Sequence, residues 1–120
     1  MPDKRAMPDF SKPSAALADR FASVLADRPA ATPRKMFGNP AAFVNGNLAT
    51  GLHAGGWFVR LSESDAAELT TAGGGPFEPM PGRPMRGYTM LPSDMADDPA
   101  VAGAWVDRAI GHVASLPPKK

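Results

Sequence analysis

Two dipeptides constrain this chain more than any other feature. Asn45-Gly46 and Gly55-Gly56 each separate runs of strand-forming residues. Such a pair between such runs signals a tight β-hairpin, because a type I′ turn needs positive φ at both central residues. The stretch Arg34–Leu61 is therefore expected to be a β-meander. A turn at Asn45-Gly46 sets Val44 against Asn47 and Phe43 against Leu48. The same turn at Gly55-Gly56 sets Ala54 against Trp57, Leu52 against Val59 and Gly51 against Arg60. Side chains alternate along a strand. One face is then expected to collect Ala41, Phe43, Leu48, Thr50, Leu52, Trp57, Val59 and Leu61 as the core. The other collects Val44, Asn47, Ala49, Gly51, His53, Phe58 and Arg60.

Flanking segments supply helices. Residues 1–12, charged and interrupted by Pro2 and Pro8, read as a disordered segment. Ser14 opens a helix to about Arg28, with Leu17, Phe21, Val24 and Leu25 at helical spacing and Pro29 as the stop. Pro40 after Gly38-Asn39 predicts a bend between a short Arg34–Phe37 stretch and the Ala41–Asn45 strand. Ser62 caps a short helix to about Ala72, with Ala66 and Leu69 inward and Gly73 ending it. Gly73–Pro76 reads as a linker, since it lacks the Gly-Lys-Ser/Thr of a phosphate-binding loop. Pro76–Met80 is expected as an edge strand. Met85–Leu91 follows as a strand with Met85, Gly87, Thr89 and Leu91 on one side and Arg86, Tyr88 and Met90 on the other. Pro92-Ser93-Asp94 starts one helical turn. Asp98-Pro99 opens a last helix to about Ser115, with a stripe of Ala102, Trp105, Val106, Ala109, Ile110 and Val113. The order helix, three strands, helix, two strands, helix predicts an α+β domain with helices on one face of an antiparallel sheet. The domain is expected over residues 13–116, with 117–120 as a tail.

Composition narrows the function classes. At 120 residues the chain is one domain, and without cysteine it has neither disulfides nor thiolate metal ligands. No apolar run is long enough for a bilayer, and Met1–Phe10 has no signal-peptide core. The expected location is the cytoplasm. A formal charge of +1 argues against a general nucleic-acid binder. The charges are unevenly spread. No acid occurs between Arg28 and Ser62, which holds Arg34, Lys35 and Arg60, whereas Asp94, Asp97, Asp98 and Asp107 gather near the C-terminus. Acids at helix starts account for part of this; a basic sheet facing an acidic partner is the other reading.

The residues for catalysis or metal binding are sparse. His53 and His112 are the only histidines, they do not share a helical metal spacing, and Asp94, Asp97 and Asp98 lack an EF-hand pattern. No catalytic residue, cofactor or metal is expected. The candidate binding surface consists of Arg34, Lys35, His53, Phe58, Arg60, Arg83, Arg86 and Tyr88. Bases interleaved with aromatics can form a single-strand nucleic-acid platform; they also occur on a solvated sheet face whose arginine stems cover apolar surface. Met36, Phe37, Met80, Met85 and Met90 can line an adaptable contact surface or fill the core.

The run Arg34-Lys35-Met36-Phe37-Gly38, the hairpin, Trp57-Phe58-Val59-Arg60-Leu61, Pro76-Phe77, Met85-Arg86-Gly87-Tyr88, Leu91-Pro92, Asp98-Pro99 and Trp105 together resemble the N-terminal domain of the TfoX/Sxy competence regulators. The resemblance covers about Ser14 to Val113 and implies a two-layer α+β fold with a five-stranded antiparallel sheet. In the full-length regulators a second, helical domain follows and the whole acts with the cyclic-AMP receptor protein at promoters; this chain resembles a stand-alone first domain. The family supplies no catalytic residues. The resemblance implies a non-enzymatic regulatory module acting through protein contacts or self-association, with a homodimer or a protein partner. The alternative is a small-ligand or nucleic-acid binding domain. Specific duplex DNA binding by this chain alone is not expected, because the last helix opens on Asp97 and Asp98 and the first alternates Asp19, Arg20, Asp27 and Arg28.

Overall fold

The turn at Asn45-Gly46 forms as the sequence dictates, with φ of 53° and 83° at its two residues. It joins strands β2 (Asn39–Val44) and β3 (Asn47–His53). A computed structural model describes residues 14–36, 38–53, 56–78 and 82–118. The remaining strands are β1 (Thr32–Met36), β4 (Gly56–Arg60), β5 (Gly75–Pro76) and β6 (Tyr88–Met90). They make one sheet in the order β1-β2-β3-β4-β6-β5, every neighbouring pair antiparallel. The sheet thus has six strands where five were expected. The extra one is β1, which pairs with β2 from Thr32↔Phe43 to Met36↔Asn39. Its two-residue counterpart at the other edge, β5, lies within the stretch read as a linker.

The register follows the expected pairing beside the first turn and departs from it further along. Phe43 lies opposite Leu48 and Val44 opposite Asn47, as the turn requires. A β-bulge then intervenes, so that Ala42 faces Thr50 and Ala41 faces Gly51. Ala49 is the additional residue, and its methyl joins the same cluster as Ala42 and Val44. An extra residue reverses the alternation beyond it. Ala41, Phe43 and Leu48, expected in the core with Leu52 and Trp57, therefore pack on the opposite face, and Val44 and Ala49 take places in the core. At the second hairpin His53 pairs with Gly56, Leu52 with Trp57 and Gly51 with Phe58. This differs from the expected Leu52–Val59 pairing by two positions on β4, so Leu52, Trp57 and Val59 keep their common face. The residues between His53 and Gly56 lie outside the described ones, as do Phe37, Met80, the segment 1–12 and Lys119-Lys120.

The helices are α1 (Ala15–Ala26), α2 (Glu63–Thr71), α3 (Ser93–Ala96) and α4 (Pro99–Ala114). The starts of α1, α2 and α4 are capped by side chains as the sequence indicates. Ser14 Oγ accepts from Leu17 N–H, Ser62 Oγ from Asp65 N–H, and the Asp98 carboxylate from Ala100 and Val101 N–H. After α2, Gly73 at φ 115° and Gly74 donate to the carbonyls of Thr70 and Leu69, a Schellman termination. All four contribute to one core with Ala42, Leu52, Trp57, Val59 and Leu91, so the helices occupy a single face of the sheet. At its centre Trp57 is wholly buried, its ring 5.1 Å from that of Phe21. Its Nε1–H donates to Thr50 Oγ1 (2.8 Å), and that hydroxyl donates to the Phe58 carbonyl (2.7 Å). Trp105 is buried in the same core, with the Arg108 guanidinium 4.4 Å from its ring centre.

Candidate interaction surface

Among the described residues, the other face of the sheet has no helix. Its cover is the segment between β5 and β6, held by a backbone bond from Met85 N–H to the Phe77 carbonyl. Phe77 lies flat on Phe58, ring centres 4.1 Å apart at 11°, and both are wholly buried. Tyr88 meets both rings edge-on, and His53 meets Phe77 edge-on at 5.4 Å. Gly51 makes room for this stack, because a Cβ there would lie 2.7 Å from Phe58 Cζ. Gly87, at φ 91°, turns the chain before β6, so the alternation expected from Met85 is interrupted and Met85 sits on the same side as Tyr88 and Met90.

Around this stack the sequence-predicted site residues divide. Arg34 reaches over the Phe43 ring (5.7 Å) and Arg60 over the Tyr88 ring (5.5 Å), so both guanidinium groups lie on the helix-free face. Tyr88 is half-buried and its hydroxyl donates to the Leu48 carbonyl at 3.2 Å. Burial pushes its pKa above the ordinary 10.0, with Arg60 opposing the shift. His53 is half-buried on the same face. Phe58 is there too, but beneath Phe77, where a partner does not reach it. Lys35 belongs to the helix side: β1 alternates, with Arg34 opposite Ala41 and Lys35 opposite Pro40. Arg83 and Arg86 are exposed on the covering segment, Arg86 beside Leu61 and Glu63 at the end of the sheet. Sequence reasoning placed Phe43 in the core, but it stands half-exposed on the helix-free face beside Arg34 and Met36, the latter one of the methionines read as a possible contact surface. The signal for Phe43 was the alternation itself, reversed by the bulge.

Charge separates by layer. The strands contain no Asp or Glu. In the helical layer Arg28 forms a two-pronged pair with Asp107 (2.7 and 3.1 Å), Arg20 approaches Asp97 at 3.7 Å, and Arg108 pairs with Glu68 (3.0 Å) and Asp65 (3.4 Å). Among the described residues no ion pair involves Arg34, Lys35, Arg60, Arg83 or Arg86. The helix-free face is therefore cationic around a rim of Met36, Phe43 and Tyr88.

A second concavity lies on the helix side, between α1 and the edge strand. It encloses about 490 Å³ over Phe21 and Leu25. Ala18, Ala22 and Ala26 form one wall, and Pro33, Arg34, Lys35, Pro40 and Ala41 the other.

Among the described residues no group of three His, Asp or Glu side chains could hold a metal ion, and no helix is long and apolar enough to cross a membrane. The sequence pattern described as the TfoX N-terminal domain matches residues 23–113. No curated protein and no solved structure gives a significant match.

Proposed function

The chain belongs to the TfoX N-terminal domain family, and from that premise we propose that it is a cytoplasmic, non-enzymatic regulatory module that works by protein contact through the helix-free face of its sheet. The observation that carries this reading is the segregation of charge. Arginines of the helical layer are neutralised by neighbouring carboxylates, whereas Arg34 and Arg60 are not, and each lies over a partly exposed aromatic ring. Arginine, aromatic residues and methionine are the types enriched at the centres of protein interfaces. The partner this face fits is an acidic protein surface with apolar anchors. A second copy brought face to face would set arginine against arginine, which opposes association.

Small-ligand and nucleic-acid binding receive less support. A single-strand platform offers open aromatic faces to bases, and here guanidinium groups occupy the outer sides of Phe43 and Tyr88. The few cations of the sheet provide only weak, salt-sensitive attraction to duplex DNA.

The test uses the whole chain and an Arg34→Glu/Arg60→Glu variant immobilised in parallel and exposed to native lysate. Both positions are partly or fully exposed, so the variant is expected to melt like the parent. The expected result is a retained acidic protein whose recovery falls by roughly tenfold or more on the variant, as loss of a charge-complementary contact demands. Equal recovery on both would refute the assignment of this surface.

A further inference from the structure

We infer that the groove between α1 and β1 is the docking site for a second copy of this chain, related by a two-fold axis running along the groove. The edge strand itself is poorly suited to sheet extension. Pro33 and Pro40 lack N–H groups, and Pro33 and Lys35 occupy alternate positions of the β1–β2 ladder. The ladder bonds of β1 therefore fall at Thr32, Arg34 and Met36, and Pro33 and Lys35 direct their backbone outward. One of those two residues has no N–H to offer, the usual device that blunts an edge. A copy approaching this side meets side chains, not a ladder.

Those side chains are self-complementary. The helix wall is built of alanines, which permit close approach of a second backbone. At 100° per residue, Asp19 stands on the outer rim of that wall, beside Ala22. Lys35 stands on the opposite wall. Both are exposed and neither makes an ion pair within the described residues. A two-fold axis parallel to the groove lays the helix wall of one copy over the strand wall of the other. Asp19 then meets the partner's Lys35, and the same pair forms again across the axis, the closed isologous arrangement. An axis perpendicular to the groove would set Lys35 against Lys35 and lose both pairs. The area offered is modest, so the dimer is expected to dissociate on dilution.

Arg34 borders both the groove and the helix-free face, so the two surfaces are separated with Arg60, which lies on the helix-free face and does not line the groove. Sedimentation equilibrium from about 1 μM to about 1 mM brackets the affinities of small interfaces. The expected result is a monomer–dimer transition in that range, abolished by Ala22→Glu and unchanged by Arg60→Glu. Asp19→Lys or Lys35→Asp alone should weaken the dimer by roughly tenfold, and the two together should restore it. Exposed positions keep these variants folded, which their melting curves check. A parent chain that stays monomeric throughout, a dimer insensitive to Ala22→Glu, or a charge swap that fails to restore association would each overturn the inference.

Discussion

The two faces of this one sheet are built by different means. On the helix side, α1 and α4 bring aliphatic side chains against Val44, Leu52, Trp57 and Val59, and one buried hydroxyl serves the indole N–H of Trp57. On the other side, a single irregular segment drops Phe77 onto Phe58, and the remainder of the face is arginine, methionine and half-buried aromatic. The first face is covered by hydrogen-bonded helices whose ends are capped and whose arginines are paired. The second depends on a stack of rings under a loop. The lesson is a division of labour: the helix side carries stability, and the loop-covered side leaves cationic and apolar groups facing outward.

Cutting one large ring from each face tests that division. Trp57→Ala removes a wholly buried ring and its hydrogen bond to Thr50, between the sheet and a helical layer whose regular packing resists collapse. Its cost should fall at the upper end for such truncations, about 5 kcal/mol. Phe77→Ala removes an equally buried ring, but the segment carrying it can settle toward Phe58, so about 3 kcal/mol is expected. Urea unfolding measures both. Hydrogen exchange adds the sharper distinction: in Phe77→Ala the Met85 amide, bonded to the Phe77 carbonyl, should exchange rapidly while Leu91 N–H, bonded to the Trp57 carbonyl, stays protected. A larger loss from Phe77→Ala than from Trp57→Ala would reverse the comparison.

Much of the helical face was legible in sequence because its signals are local. Ser14, Ser62 and Asp98 are side-chain caps, Gly73 is a termination signal, and the α4 stripe repeats at helical spacing. The helix-free face was not, because its determinants are nonlocal. The bulge at Ala49 carries no glycine or proline to announce it, yet it decides that Phe43 faces outward. Phe58 alternates with Arg60 and reads as a surface aromatic until Phe77, from beyond α2, closes over it. Strand β1 was visible only as a short Arg34–Phe37 stretch before the bend expected at Pro40, and its extension back through Pro33 to Thr32 follows only from pairing with β2. Within the candidate site, Arg34, Arg60 and Tyr88 were recognisable from base–aromatic interleaving, whereas the side on which Lys35 lies followed from register alone.

Glycine-to-alanine substitutions sharpen the contrast at smaller energies. At Gly51 a new methyl would lie 2.7 Å from Phe58 Cζ and 3.2 Å from Ala41 Cβ, and Phe58 cannot retreat because Phe77 stacks behind it. Overpacking of this kind should cost about 1–3 kcal/mol. At Gly103 in α4 the methyl would meet only the Arg28 guanidinium, nearest at Nη2 (2.8 Å), the end of a long side chain that can shift at the expense of its bonds to Asp107 and the Val24 carbonyl. Alanine also gains about 1 kcal/mol of helix propensity there, which offsets disturbance of the Arg28–Asp107 pair. Thermal melting should show Gly51→Ala clearly destabilised and Gly103→Ala close to the parent.

The smallest expected effect concerns Tyr88, where the helix-free face adjoins solvent. At neutral pH, Tyr88→Phe removes the hydrogen bond to the Leu48 carbonyl and should cost about 1 kcal/mol. The alkaline behaviour distinguishes this from simple loss of a contact. Burial favours the neutral phenol, so the folded-state pKa lies above the ordinary 10.0, while Arg60 pulls the other way. The folded protein then holds its proton at pH values where the unfolded chain has released it. This contribution to stability is fully present below pH 10.0 and is lost as pH rises through the folded-state pKa. Urea midpoints should accordingly fall more steeply above that pH in the parent than in Tyr88→Phe, lysine titration being common to both. Tyr88 is the only tyrosine in the chain, so the phenolate absorption reports its titration without interference. Arg60→Ala should move that titration to still higher pH, because it removes the charge that favours the phenolate. A phenolate titrating at or below 10.0 in the folded parent, or one unmoved by Arg60→Ala, would show that the ring is open to water and that this side of the sheet is less ordered than the stack beside it.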